Sequence, residues 1–193
     1  MVGQGCVYPA SVKTLPDQLT AAGQTWHGYM EDLGADPTRE KATCGNPGSS
    51  SGTGTADPTQ SATAKDQYAA RHNPFAYFHS LIDSGACDRN VGPLTNLTAD
   101  LGQVDTTANF TWITPDLCSD GHDAPCVDGR PGGLQSINDF LQVWVPRITS
   151  SPAFRKDGLL VITFDEADVS GDADACCGNP TGPNTPMPGI SGP

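Results

Sequence analysis

Two clusters of acids and histidines carry the chemistry legible in this sequence. Asp165 and Glu166 close the apolar, β-branched run Leu159-Leu160-Val161-Ile162-Thr163-Phe164. Adjacent carboxylates at the edge of a core are costly unless a cation lies between them. A divalent metal is the simplest occupant, and a solvated strand end is the plain alternative. The second cluster, Asp116-Leu117-Cys118-Ser119-Asp120-Gly121-His122-Asp123, packs three acids and one His into eight residues. Gly121 and the short polar side chains allow a tight turn that gathers ligands, or simply a surface Asp-Gly turn. A third feature is Arg71-His72, a local positive spot. It reads as a helix-end His capping carbonyls, or as an anion-binding or proton-shuttling His.

These residues need elements to position them. The run 158–164 is short, apolar and bounded by polar residues, which predicts a strand buried on both faces as in a parallel sheet. Asn109 to Thr114 predicts another strand, running directly into the acidic loop. Between them Gly133 to Ser150 predicts a helix, with Leu134, Ile137, Leu141, Trp144, Val145 and Ile148 on one stripe, Phe140 at its border and Pro146 kinking or ending it. A strand-helix-strand unit is a right-handed parallel crossover with both strand ends on one rim. In open α/β sheets chemistry collects beyond the carboxyl ends of the strands, so the His122 loop and Asp165-Glu166 are expected to face one edge. Upstream, Thr14 to Gly23 predicts a short helix with Thr14 as N-cap and Gly23 as stop, and Thr25 to Met30 a strand ended by Glu31-Asp32. Pro93 to Gly102 predicts a helix with Leu94, Leu97 and Leu101 on one face. A turn is expected at Asn73, ahead of Pro74.

With 193 residues, one domain over 1–193 is the default. Residues 34–63 read as a surface loop or insertion, and 168–193 as a Gly/Pro-rich loop. Glycine and proline make up about a fifth of the chain, so long loops separate few elements. The net charge of −12 disfavours nucleic acid and anionic membrane as partners. No apolar run reaches bilayer-spanning length. Seven cysteines without zinc-ribbon or CxxC spacing suit disulfides in an oxidising compartment, with one thiol left over. No signal peptide is visible at Met1, so a secreted or cell-envelope protein implies an amino end beyond this chain.

Four segments together resemble the secreted phosphoesterase family of bacterial acid phosphatases and non-specific phospholipases C, within the alkaline-phosphatase-like superfamily. They are Gly23-Gln24-Thr25-Trp26-His27-Gly28-Tyr29-Met30-Glu31-Asp32; Tyr68-Ala69-Ala70-Arg71-His72-Asn73-Pro74-Phe75; Phe110 to Asp116 with Asp120-Gly121-His122-Asp123; and Leu159 to Glu166. Each is weak alone, whereas their order and spacing are specific. The resemblance implies an α/β fold: a partial alkaline-phosphatase-like sandwich, its mostly parallel sheet flanked by helices and long Gly/Pro-rich loops. It implies metal-assisted attack on a small phosphate ester or phospholipid by a Ser or Thr oxygen. One divalent metal would be held by Asp165 and Glu166. His122, Asp123, His72 and Asp120 match the active-site histidines and their acids, with either Asp123 or Asp120 orienting His122.

Four features depart from the family pattern. The Glu-Asn pair and the Ser/Thr-x-Pro-Asn nucleophile segment that open family members do not occur here, nor does their later His-Tyr-Ser motif. Asp116 stands where many members have Asn. A fragment truncated at both ends is therefore expected, with its nucleophile upstream of Met1 and little activity by itself. The competing reading is a secreted, non-catalytic, disulfide-stabilised module that binds a cation.

Overall fold

The computed structural model describes residues 7–45 and 57–164. Asp165 and Glu166 lie outside the described residues, as do the 168–193 loop, Cys6, Cys176 and Cys177. The chain divides into two compact units, Met1–Gly158 and Leu159–Pro193.

Helix α1, Leu15–Ala21, starts at the expected cap: the Thr14 hydroxyl accepts from Asp17 N at 3.3 Å, and the Asp17 carboxylate accepts from Thr14 N at 2.8 Å. This reciprocal pair satisfies donors that a helix start leaves open. Strand β1, Trp26–Met30, follows. Helices α2 (His79–Ile82) and α3 (Ala86–Asn90) lead into strand β2, Val91–Pro93. Helix α4, Leu97–Asp100, and strand β3, Phe110–Thr114, come next. The three strands form a parallel sheet in the order β2-β1-β3, with Trp26 opposite Phe110 and Gly28 opposite Val91. This is the α/β architecture expected.

Side chains alternate across β1, so each face of the sheet has its own core. Trp26 and Met30 pack with Phe75, Leu81 and Val91 on one face. Tyr29 packs on the other with Leu94, Leu97, Leu101 and Trp144. Gly28 lets Phe75 lie against the strand. A Cβ there would stand 2.5 Å from Phe75 Cε2, and that ring stacks on Trp26 at 5.2 Å. Gly28→Val is therefore expected to destabilise the protein by about 1–3 kcal/mol, read as a lowered urea midpoint.

Four expectations change in the structure. The Pro93 to Gly102 helix is shorter: β2 takes Pro93, and a 3-10 turn at Leu94–Asn96 precedes α4. The three leucines nevertheless share one buried face. Helix α5, Gly133–Thr149, runs through Pro146 rather than ending there. Its buried stripe centres on Trp144 with Phe140 and Ile148, while Leu134, near the amino end, is 80% exposed. A further helix, α6 (Pro152–Asp157), capped by Ser151, was not expected.

The fourth change is the strand at 158–164. Among the described residues, 158–164 form no ladder, and Leu159, Val161, Ile162 and Phe164 are exposed. An apolar run supplies strand propensity, but a strand exists only through a partner's hydrogen bonds, and propensity does not choose the partner.

Of the stretch 34–63, the described parts are anchored rather than loose. Arg39, Glu40, Cys44, Asp57 and Thr59 are all buried. Cys44 pairs with Cys87, and Cys118 with Cys126, so two disulfides lie among the described residues. Among those residues no helix is long and apolar enough to cross a membrane.

Candidate functional site

The carboxyl ends of β1 and β3 lie side by side because the strands are parallel and in register. Glu31 and Asp32 follow β1, and Pro115 to Asp123 follows β3. Glu31 N donates to Thr114 O at 2.9 Å, and Glu31 Oε2 accepts from Asp116 N at 3.0 Å. The ladder is thereby carried past the strands into the loop.

Asp116 is buried and organises that loop. Its Oδ1 accepts from Cys118 N at 3.0 Å and from Ser119 N at 2.6 Å, and its Oδ2 from Arg130 at 3.2 Å. Arg130 also donates to Asp128 at 2.7 Å and to Ser119 Oγ at 3.2 Å. The Cys118–Cys126 disulfide closes the loop covalently. Gly132, at φ 73°, allows the chain to pass the Asp123 carbonyl, which a Cβ would overlap. Gln67 stitches in the neighbouring segment. Its N donates to Asp32 at 3.0 Å, its carbonyl accepts from Leu117 N at 3.1 Å, and its amide donates to Asp128 at 2.9 Å.

His72 and Asp120 meet at the top of this frame. His72 Nδ1 lies 3.2 Å from Asp120 Oδ2, and His72 O accepts from the Thr114 hydroxyl at 3.3 Å. The 3-10 turn Ala70–His72 supplies the histidine, and the buried Asn73 fixes the turn by donating to Cys44 O at 2.7 Å. His122 N donates to Asp120 Oδ1 at 2.8 Å, and His122 Nδ1 lies 2.8 Å from Asp123 Oδ1. Asp123 is thus the acid in contact with the His122 ring, while Asp120 bonds its backbone and pairs with His72. The His122 side chain is 60% exposed, beyond the buried frame that holds its backbone.

The carboxylates here are unequal. Burial, and then the Asp116 carboxylate beside it, push Glu31 up to about 7. Burial likewise raises Asp32 above the usual carboxylate range. One group among the described residues brings possible metal ligands within 4.8 Å of one another: Cys118, Cys126 and Asp128. Its sulfurs are joined in a disulfide, which leaves no thiolate to bind a metal.

Sequence reasoning named His72, Asp120, His122 and Asp123, and the structure brings them to one rim. It missed Glu31, Asp32 and Arg130 as parts of that rim, and treated Asp116 only as a departure. The signal was present: Glu31-Asp32 follow a strand just as Asp165-Glu166 follow the 159–164 run. Asp165 and Glu166, outside the described residues, receive no geometry here.

Comparison with known proteins agrees with the motifs. The model of the phosphoesterase family matches residues 3–186. The chain is 22% identical to a phosphate-repressible acid phosphatase of Penicillium chrysogenum, over 83% of this chain and 33% of that protein. It is 23% identical to an acid phosphatase of Aspergillus fumigatus, over 82% of this chain and 30% of that protein. A probable acid phosphatase of Kluyveromyces lactis is 21% identical, over 84% and 33% of the two chains. The chain spans about a third of the length of these curated relatives. No solved structure gives a significant match. By its match over residues 3–186, this chain belongs to the phosphoesterase family.

Proposed function

We propose that this chain supplies the histidine- and carboxylate-bearing rim of a metal-dependent phosphate-ester hydrolase of the acid phosphatase or phospholipase C type. The observation that carries this reading is the 3.2 Å contact between His72 and Asp120. Two motifs far apart in sequence meet beyond the carboxyl ends of parallel strands, where α/β folds do their chemistry.

In this reading His122 donates to a phosphate oxygen or protonates the leaving alcohol, and Asp123 holds its ring in one tautomer. His72, steadied by Asp120, supplies a second donor to the anion. Asp165 and Glu166 are oxygen donors of the kind a hard divalent cation prefers, and they would hold the metal. Once bound, the metal neutralises phosphate charge and activates the attacking oxygen. A Ser or Thr from outside these residues would attack phosphorus as the bond to the alcohol oxygen breaks, and water would then cleave the phosphorylated side chain to release the phosphate product. Substrates are small phosphate esters or phospholipids. The two disulfides agree with a secreted or cell-envelope protein, since such bonds persist in oxidising compartments.

The test is phosphate release from an aryl phosphate by the intact protein. Turnover should be lost on chelation and regained with a divalent cation. No release above a protein-free blank with any divalent cation tried would sink the proposal, and cation binding without turnover would favour a non-catalytic module.

A further inference from the structure

Glu31 is bound to the His122 loop at its root. Its Oε2 holds the Asp116 N–H at 3.0 Å, and its own N–H bonds Thr114 O at 2.9 Å. Asp116 passes the constraint on through its bonds to Cys118 N and Ser119 N, and Asp120 N bonds Asp116 O at 2.9 Å. The next contacts along this path are His72 with Asp120, and Asp120 with His122 N. The path runs through hydrogen bonds of 2.6 to 3.0 Å and ends on the 3.2 Å ion-pair contact of His72 with Asp120, so a change at Glu31 has a continuous route to both histidines.

We propose that Glu31 is a positioning residue for this loop: by gripping the Asp116 N–H it sets where Asp120, and through it His72 and His122, stand. The catalytic arm of this inference rests on the phosphoesterase reading, whereas the structural arm does not.

The grip is sensitive to charge. Glu31 faces the Asp116 carboxylate and lies beside Asp32, and Arg130, shared with Asp128, is the cation on Asp116. Two like charges in a half-buried site repel, so the neutral Glu31 carboxyl is preferred below about 7. Because burial first, and then the Asp116 charge, raise the folded value, the stability that the neutral Glu31 carboxyl adds is complete below the ordinary 4.5 and is lost as the pH rises through about 7.

The experiment compares wild type, Glu31→Gln and Glu31→Ala. Gln keeps an oxygen to accept the Asp116 N–H but cannot ionise, and Ala does neither. Amide NMR shifts of Asp116, Ser119 and Asp120 are followed with pH in a background carrying His72→Gln and His122→Gln, so that no rim imidazole titrates. An inflection near pH 7 is expected at all three amides. It should be absent in Glu31→Gln, whose shifts should stay near the acid-side wild-type positions. The Asp120 amide should be displaced at every pH in Glu31→Ala. An inflection confined to Asp116, or an undisplaced Asp120 in Glu31→Ala, overturns the proposal. In the intact protein with native histidines, Glu31→Gln should keep its acid-side kcat and lose the fall near pH 7, and Glu31→Ala should lose roughly 10²-fold in kcat. Unchanged kcat in Glu31→Ala also overturns it. Absence of turnover in the wild type tells against the phosphoesterase reading and leaves the NMR result to decide the positioning role.

Discussion

Replacing His122 by alanine in the intact protein is expected to lower phosphate-ester turnover by about 10²–10⁴-fold, the range of a lost general acid. The geometry behind this is the 2.8 Å contact between Nδ1 and Asp123. A carboxylate on Nδ1 holds the proton there and leaves Nε2 as the working nitrogen. Asp123→Asn should therefore lower turnover less than His122→Ala, because the ring remains but loses its preferred tautomer. His79 is the control. It makes the same kind of pair, with Asp83 at 2.9 Å, on an exposed turn of helix α2, which packs against α1 and α3. His79→Ala is expected to leave turnover unchanged. Wild-type turnover in His122→Ala would remove this residue from the chemistry.

The largest stability effect is expected at Arg39. This buried guanidinium lies 3.3 Å from Asp66 Oδ2 and donates to Ser61 O at 2.7 Å, to Pro58 O and to Asp66 O. It ties the segment after β1 to the segment leading into His72. Removing one partner of a buried ion pair strands the other, so Arg39→Ala should cost about 3–5 kcal/mol at neutral pH, read from urea unfolding.

The same site makes stability depend on pH. Asp66 faces Glu40, which is buried as well, and Glu40 Oε2 and Asp66 Oδ2 have no hydrogen-bond donor among the described residues. Asp32 adds negative charge nearby, and Tyr68 and Asp57 lie on the adjoining segment. Burial raises both Glu40 and Asp66 above the ordinary carboxylate range, Glu40 from 4.5. One Arg39 charge cannot balance two carboxylates, so the pair retains a proton. A raised folded value means that stability is complete at low pH and falls as the pH climbs above 4.5, by about 1.4 kcal/mol per pH unit while the folded state holds one extra proton. Glu40→Gln supplies an amide donor in place of that proton and should flatten this part of the profile. A wild-type profile parallel to that of Glu40→Gln between pH 5 and pH 8, values that bracket roughly where the pair releases its proton, would show that no proton is shared.

How much was legible in advance depended on the range of the interactions. Helix α1 follows from Thr14 and Asp17, three residues apart, and β1 and β3 follow from short runs of alternating side chains. The rim follows from parallel strand order, so His122 and Asp123 could be placed beyond a strand end without coordinates. The short strand β2 escaped because Val91-Gly92-Pro93 has no pattern of its own and exists through pairing with β1.

The Asp165-Glu166 end was approached through an expected strand that the described residues 158–164 do not form. The reverse error occurred at β1, where Glu31 and Asp32 read as a strand's polar stop. Their partners Asp116 and Gln67 lie far along the chain, and no spacing rule reaches them.

The sequence by itself determined the family, because its four motifs in their order resemble that family and its model matches residues 3–186. Tertiary structure alone decided which acid meets which histidine. Asp120 and Asp123 flank His122 at similar distance in sequence, and the turn between them gives one to His72 and the other to His122. It also decided which carboxylates are raised above their ordinary range, since burial and a facing charge set that, and neither is a property of neighbours along the chain.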